Sequence, residues 1–148
     1  MRHLWAAMVV LALGALVPRG AMAQEQSSPP RDRGPKFELG QNYPNPFNPT
    51  TTIPFTLGDP PSCSDPGRTY RVTLQIYNIL AQLVAIPVLQ GGGDAGQPVR
   101  ELELPCGSYT AYWDGNINGT SEEAASGVYL YRLQVDGRVV VKKMLVAK

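Results

Sequence analysis

The sequence predicts an all-β fold, an antiparallel sandwich of about seven strands. Short β-branched and aromatic runs recur from residue 50 to residue 146, separated by clusters of Gly, Pro, Asn and Asp. No run shows a convincing helical period. Asp136-Gly137 stands between two apolar runs, the strongest short-range hairpin signal a sequence can carry. About 110 residues suffice for one such core.

Each strand follows from local pattern. "TTTIPFTL" (50–57) is β-branched and aromatic, but Pro54 limits it to an edge strand or a bulge. "TYRVTLQIYN" (69–78) alternates, with Val72, Leu74 and Ile76 on one face. "QLVAIPVL" (82–89) reads as one strand with an internal proline, and "VRELELP" (99–105) as a short extra strand. "SYTAYW" (108–113) is aromatic-rich. "GVYLYRLQV" (127–135) and "RVVVKKMLV" (138–146) form the hairpin around Asp136-Gly137. Ahead of them, "NYPNPFNP" (42–49) is a stiff strap. Its prolines pre-set φ, so it loses little entropy on docking along a sandwich edge, with Tyr43 and Phe47 inserted.

The chain of 148 residues is expected to divide into a signal peptide (1–23), a flexible linker (24–37) and one domain (38–148). Arg2 and His3 precede an apolar run from Leu4 to Val17, which is followed by Ala21-Met22-Ala23. That basic, apolar and small-residue order is the order of a cleaved secretory signal, and the run is short for a membrane span. No later stretch is long and apolar enough to span a bilayer. "QEQSSPPRDRGPK" (24–36) has linker composition.

With Arg2 and Arg19 removed, the remaining basic and acidic residues nearly balance, so charge points to neither nucleic acid nor an anionic membrane. Cleavage also removes His3, the single histidine. The expected mature chain has no Ser-His-Asp or Cys-His pair and lacks the commonest metal ligand. A non-catalytic protein without a cofactor is expected.

Four blocks occur in a fixed order: "LGQNYPNPFNPTTTIPFTL", "VTLQIYNILAQLV", "YWDGNING" and "SGVYLYRLQVDGRVVVKKMLV". Together they resemble the C-terminal sorting domain (type A) of bacterial proteins exported by the type IX secretion system. That group is similar to the Ig-like domain of the flagellar hook-capping protein. The resemblance spans about residues 38 to 148. It implies an Ig-like sandwich acting as a C-terminal address label. Its partner would be the outer-membrane secretion machinery. The chain would pass through the periplasm to the cell surface or the medium, where the label can be cleaved off as cargo is attached. The family's recognition features map onto Gly127, Asp136-Gly137, Lys142-Lys143 and the "MLVAK" that ends at Lys148. The family usually carries glycine where Ala81 stands, and a left-handed turn there would strain an alanine. The alternative is a stand-alone extracellular module that binds polysaccharide or a surface protein.

Other candidate sites are read from the residues. Cys63 and Cys106 are the two cysteines. Following the strands up and down places both at one end of the sandwich, and an exported chain favours a bridge. It would be worth about 3–4 kcal/mol in the chain-entropy model. "DGNINGTSEEAA" opens like a calcium loop with Asp114, Asn116 and Asn118, but its twelfth residue is Ala125 instead of glutamate. A turn between strands is the preferred reading. Tyr109, Tyr112, Trp113, Tyr129 and Tyr131 suit core packing better than a sugar platform. Lys142 and Lys143 suit either protection of an edge strand or receptor docking, and at most one of them faces the core side.

Overall fold

The computed structural model describes residues 34–148; the expected signal peptide and linker residues 24–33 lie outside the described residues. Among the described residues there are nine strands and no helix: β1 (Phe37–Leu39), β2 (Thr51–Leu57), β3 (Thr69–Tyr77), β4 (Leu83–Ala85), β5 (Val88–Gln90), β6 (Leu102–Pro105), β7 (Gly107–Trp113), β8 (Gly127–Val135) and β9 (Arg138–Val146). One antiparallel sheet has the order β1-β2-β7-β5. The other has the order β4-β3-β8-β9, with β6 also paired to β3. Together they form a β-sandwich.

Alternation carries the core. In β2, β3 and β8 every second side chain is buried. Ile53, Phe55, Leu57, Ala111 and Trp113 from one sheet face Val72, Leu74, Ile76, Leu133 and Val135 from the other. Fully burying each large aliphatic contributes about 1.5–3 kcal/mol. The β8–β9 hairpin has the expected bounds. Asp136 and Gly137 both have positive φ (47° and 86°), as a two-residue turn matched to strand twist requires.

Three expectations change. "QLVAIPVL" is two strands: β4 pairs with β3 in one sheet, and after Ile86-Pro87 the chain crosses to pair β5 with β7 in the other. A proline has no N–H for a ladder, so the run breaks there. β2 is an inner strand despite Pro54. Gly40 N donates to Pro54 O (2.8 Å), and Thr52 exchanges bonds with Tyr43 (2.9 Å each). Even-numbered residues of β2 therefore face β1 and the strap. The missing N–H of Pro54 falls where β1 ends, and no bond to β7 is lost. Finally, β1 was not expected. Lys36 O already accepts from Gly58 N (2.9 Å), so ordered pairing begins ahead of the expected linker boundary.

The strands leave two poles. One holds the 58–68 loop, Cys106 and the Asp136-Gly137 turn. There Cys63 and Cys106 are joined with a Cα–Cα distance of 5.8 Å. The other pole holds the strap, the end of β7 and the start of β8.

Candidate functional site

The strap pole is built around a buried polar clamp. Asn42 and Thr51 are buried. Asn42 Nδ2 donates to Pro44 O (3.2 Å) and to Thr51 Oγ1 (3.0 Å), and Thr51 Oγ1 donates to Pro44 O (3.1 Å). Asn42 N donates to the Tyr131 hydroxyl (3.1 Å), which donates to Gly40 O (2.8 Å). No buried side-chain polar atom is left without a partner among the described residues. Burial holds the Tyr131 hydroxyl above the usual tyrosine range, while the Asn42 N–H partly offsets this by favouring the anion.

From this clamp the strap lies along the open side of β9. Gln41 Nε2 donates to Lys143 O (3.2 Å), and Leu145 N donates to Asn45 Oδ1 (3.0 Å). Phe47 N donates to Leu145 O, and Ala147 N donates to Phe47 O, each at 3.0 Å. The end of an edge strand is thus covered by backbone and asparagine groups instead of being left as a template for another chain. Phe47 is buried, edge-on to Trp113 at 5.3 Å; Trp113 is edge-on to Tyr129 at 5.8 Å. Trp113 Nε1 donates to Asn116 O (2.9 Å). Gly115 (φ 83°) passes so close to the strap that a Cβ would lie 2.1 Å from Pro49 O. Tyr43 corrects the sequence reading: it is 54% exposed, and Phe47 alone is the inserted aromatic.

The residues implied by the family resemblance separate in space. Gly127 opens β8 opposite Val146, with open space where a side chain would stand. Lys148 Nζ pairs with Glu123 Oε2 (2.9 Å), and its N–H donates to Ser126 Oγ (3.2 Å). Lys143 is exposed and opposite Leu130, whereas Lys142 is half-buried on the core side of β9 opposite Tyr131. These four belong to the half of the hairpin next to the strap. Asp136 and Gly137 lie at the other pole, a strand of about 30 Å away. There Asp136 Oδ1 accepts from Arg71 N (2.9 Å), and Asp136 Oδ2 pairs with Arg68 (3.5 Å). That turn ties the hairpin to β3 and does not belong to the same site.

The other candidates resolve into packing. Asp114 Oδ1 accepts from Asn116 N (2.9 Å) and Asp114 Oδ2 from Asn116 Nδ2 (3.2 Å), while Asn118 N donates to Val84 O (2.8 Å). Among the described residues no three His, Cys, Asp or Glu side chains group as a metal site would need. Trp113, Tyr129 and Tyr131 are buried, so they offer no sugar platform. Tyr109 stacks on Phe55 at 5.4 Å and donates to Pro105 O (2.7 Å). Burial, and then Asp94, holds its hydroxyl above the usual range. Ala81 does adopt the left-handed conformation, φ 59°. Asn78 braces that turn: its Oδ1 accepts from Leu80 N and Gln82 N, both at 3.0 Å. Ile79 and Leu80 are thereby held in solvent, about three-quarters exposed.

Sequence reasoning missed the clamp of Asn42, Thr51 and Tyr131, because no local pattern marks a polar group as buried. No helix among the described residues is long and apolar enough to cross a membrane. No family model, curated protein or solved structure matches this chain.

Proposed function

We propose that this chain is a non-catalytic, exported bacterial domain that serves as a C-terminal sorting and surface-attachment signal for type IX secretion. Its partner is the outer-membrane secretion machinery. The observation that carries this reading is that parts of all four resembling blocks meet at one pole. Phe47 of the first block packs on Trp113 of the third, and Trp113 packs on Tyr129 of the fourth. Asn45 of the first block holds Leu145 of the fourth. The second block carries the braced Asn78 turn, which follows the end of β3 beside β8. Blocks scattered over a hundred residues thus build one surface. A recognition signal read on a folded domain needs such a surface.

The test is an export assay in a type IX-competent host. A folded reporter is placed between a signal peptide and residues 34–148, the described domain. The matched fusion lacks Met144 to Lys148. The reading expects the intact fusion at the surface or in the medium and the truncated one in the periplasm. Retention of both, while a reporter with a known sorting label is exported, would sink it.

A further inference from the structure

The two sheets turn different chemistry to solvent. On the four-stranded sheet the outward side chains of β2 and β7 are Thr52, Pro54, Thr56, Ser108, Thr110 and Tyr112. Glu38 and Gln90 flank them across a shallow groove of about 480 Å³. Apart from one tyrosine and one proline this is an ordinary hydroxyl-rich solvent face.

The five-stranded sheet breaks that rule. Its outward residues form cross-strand rows. Nearest the strap is Val128 with Leu145, and next comes Leu83, Tyr77, Leu130 and Lys143. Beyond these are Gln75, Arg132 and Val141, and then Thr73, Gln134 and Val139. Leu83, Val128, Val139, Val141 and Leu145 are each 40–49% exposed. Ile79 and Leu80 extend the apolar end from the adjoining turn. Two open grooves, about 290 and 430 Å³, flank Lys143: one reaches Val128 and Leu145, the other Leu130 and Val141. Within these four rows the charged side chains are Arg132 and Lys143, both positive; beyond them, away from the strap, Arg71 pairs with Glu103 (3.1 Å), and Glu101 stands beside Thr73. Contiguous exposed apolar area of this kind marks an interaction surface.

We propose that this outer face, centred on Lys143 and the half-exposed Val128, Val139, Val141 and Leu145 around it, is where the domain docks on a protein surface that is apolar and carries carboxylates. The proposal rests on the sorting-signal reading and names the face the secretion machinery contacts. Charge chooses the occupant. A second copy stacked with the strap ends together would set Lys143 against its own kind, which is costly; the carboxylates of this face, Glu101 and Glu103, lie at the opposite end, where Glu103 is already paired with Arg71. A lipid surface fits less well, because the acidic Asp114–Glu123 loop shares this pole and only two cations stand among the apolar rows. A sheet face with its apolar side chains at half exposure matches another folded surface.

The reporter fusion tests this with substitutions on exposed positions. Val139→Thr/Val141→Thr removes apolar surface and keeps the β-branch. Lys143→Glu reverses the charge, and Lys143→Arg keeps it. Thr110→Glu places a charge on the other sheet's outer face. The expected result is that the double threonine variant and Lys143→Glu each cut export by about tenfold or more, while Lys143→Arg and Thr110→Glu export normally. Melting temperatures within a few degrees of the parent show that all remain folded. If the parent is exported and the two face variants are exported equally well, the face proposal is wrong and the sorting reading stands. If the parent itself is not exported, both fall. Co-sedimentation of the purified full chain with phosphatidylglycerol vesicles, lost in Lys143→Glu, assigns the face to lipid and overturns the proposal. A dimer in light scattering that the same variant dissolves assigns it to self-association, with the same consequence.

Discussion

At the Cys63–Cys106 pole, two loops are closed by one covalent bond, across 43 residues of sequence. Arg68 adds an ion pair to Asp136 and lies 4.8 Å over the Tyr70 ring, both near the surface. At the strap pole no covalent bond exists among the described residues. Closure there depends on the Asn42–Thr51–Tyr131 clamp, on Phe47 under Trp113 and on the bonds from Asn45 and Phe47 to β9. The first pole restrains the unfolded chain; the second gains its stability only once packed. The strap pole is assembled from many small, mutually dependent contacts, whereas the other is held shut by one bond.

Four variants break or sharpen this contrast. The largest effect is expected from Cys63→Ser/Cys106→Ser. Denaturant unfolding should show a loss of about 3–4 kcal/mol, with the strap pole still protected from proteolysis. A loss below about 1 kcal/mol would mean that the bridge does not dominate its pole.

Tyr131→Phe should follow, at about 1–3 kcal/mol, because it strands the Gly40 carbonyl and the Asn42 N–H in a buried site. It should also change the alkaline limb of stability. The hydroxyl keeps its proton longer in the folded protein than in the unfolded chain. Its contribution is therefore fully present below about pH 10 and is lost as pH rises through the folded value. Thermal melts from pH 8 to 11 should fall less steeply for the phenylalanine variant. Equal slopes would show that Tyr131 does not set that limb. Tyr109, also shifted upward, supplies a remaining slope.

Gly115→Ala should cost about 1–3 kcal/mol, since it adds left-handed strain and forces a methyl group onto Pro49 O. Protease should then cut the strap before the disulfide loops; simultaneous cutting would deny that the poles open independently. The smallest effect is a gain. Ala81→Gly relieves an alanine at φ 59° and should raise stability by up to about 1 kcal/mol, read as a higher melting temperature. An unchanged or lower value would mean that the flexibility added to the unfolded chain cancels the relief.

Much of the sandwich was legible because its signals are local. The alternation of residues 69–78, the Asp136-Gly137 turn and the β8 and β9 bounds all come from period and turn chemistry. The disulfide followed from strand direction together with the expected export of the chain. What stayed hidden depends on partners far away in sequence. "QLVAIPVL" has no turn residue except Pro87, so nothing in it announces a change of sheet. Pro54 reads as an edge residue until β1 is known to stop beside it. In "RVVVKK" the apolar run is continuous, so pattern does not say which valines face out; pairing to β8 decides it. Tyr43 and Phe47 share the same Asn-Pro surroundings, and only Trp113 distinguishes them.

The strap also has a consequence in time. Asn45 and its partner Leu145 are 100 residues apart. Contacts of such separation form late, because a long loop must close before they give any return. While the chain is being made, the strap exists well before the strand it covers. The strap pole therefore cannot close until residue 147 has been made, since Ala147 N is one of the groups that holds Phe47.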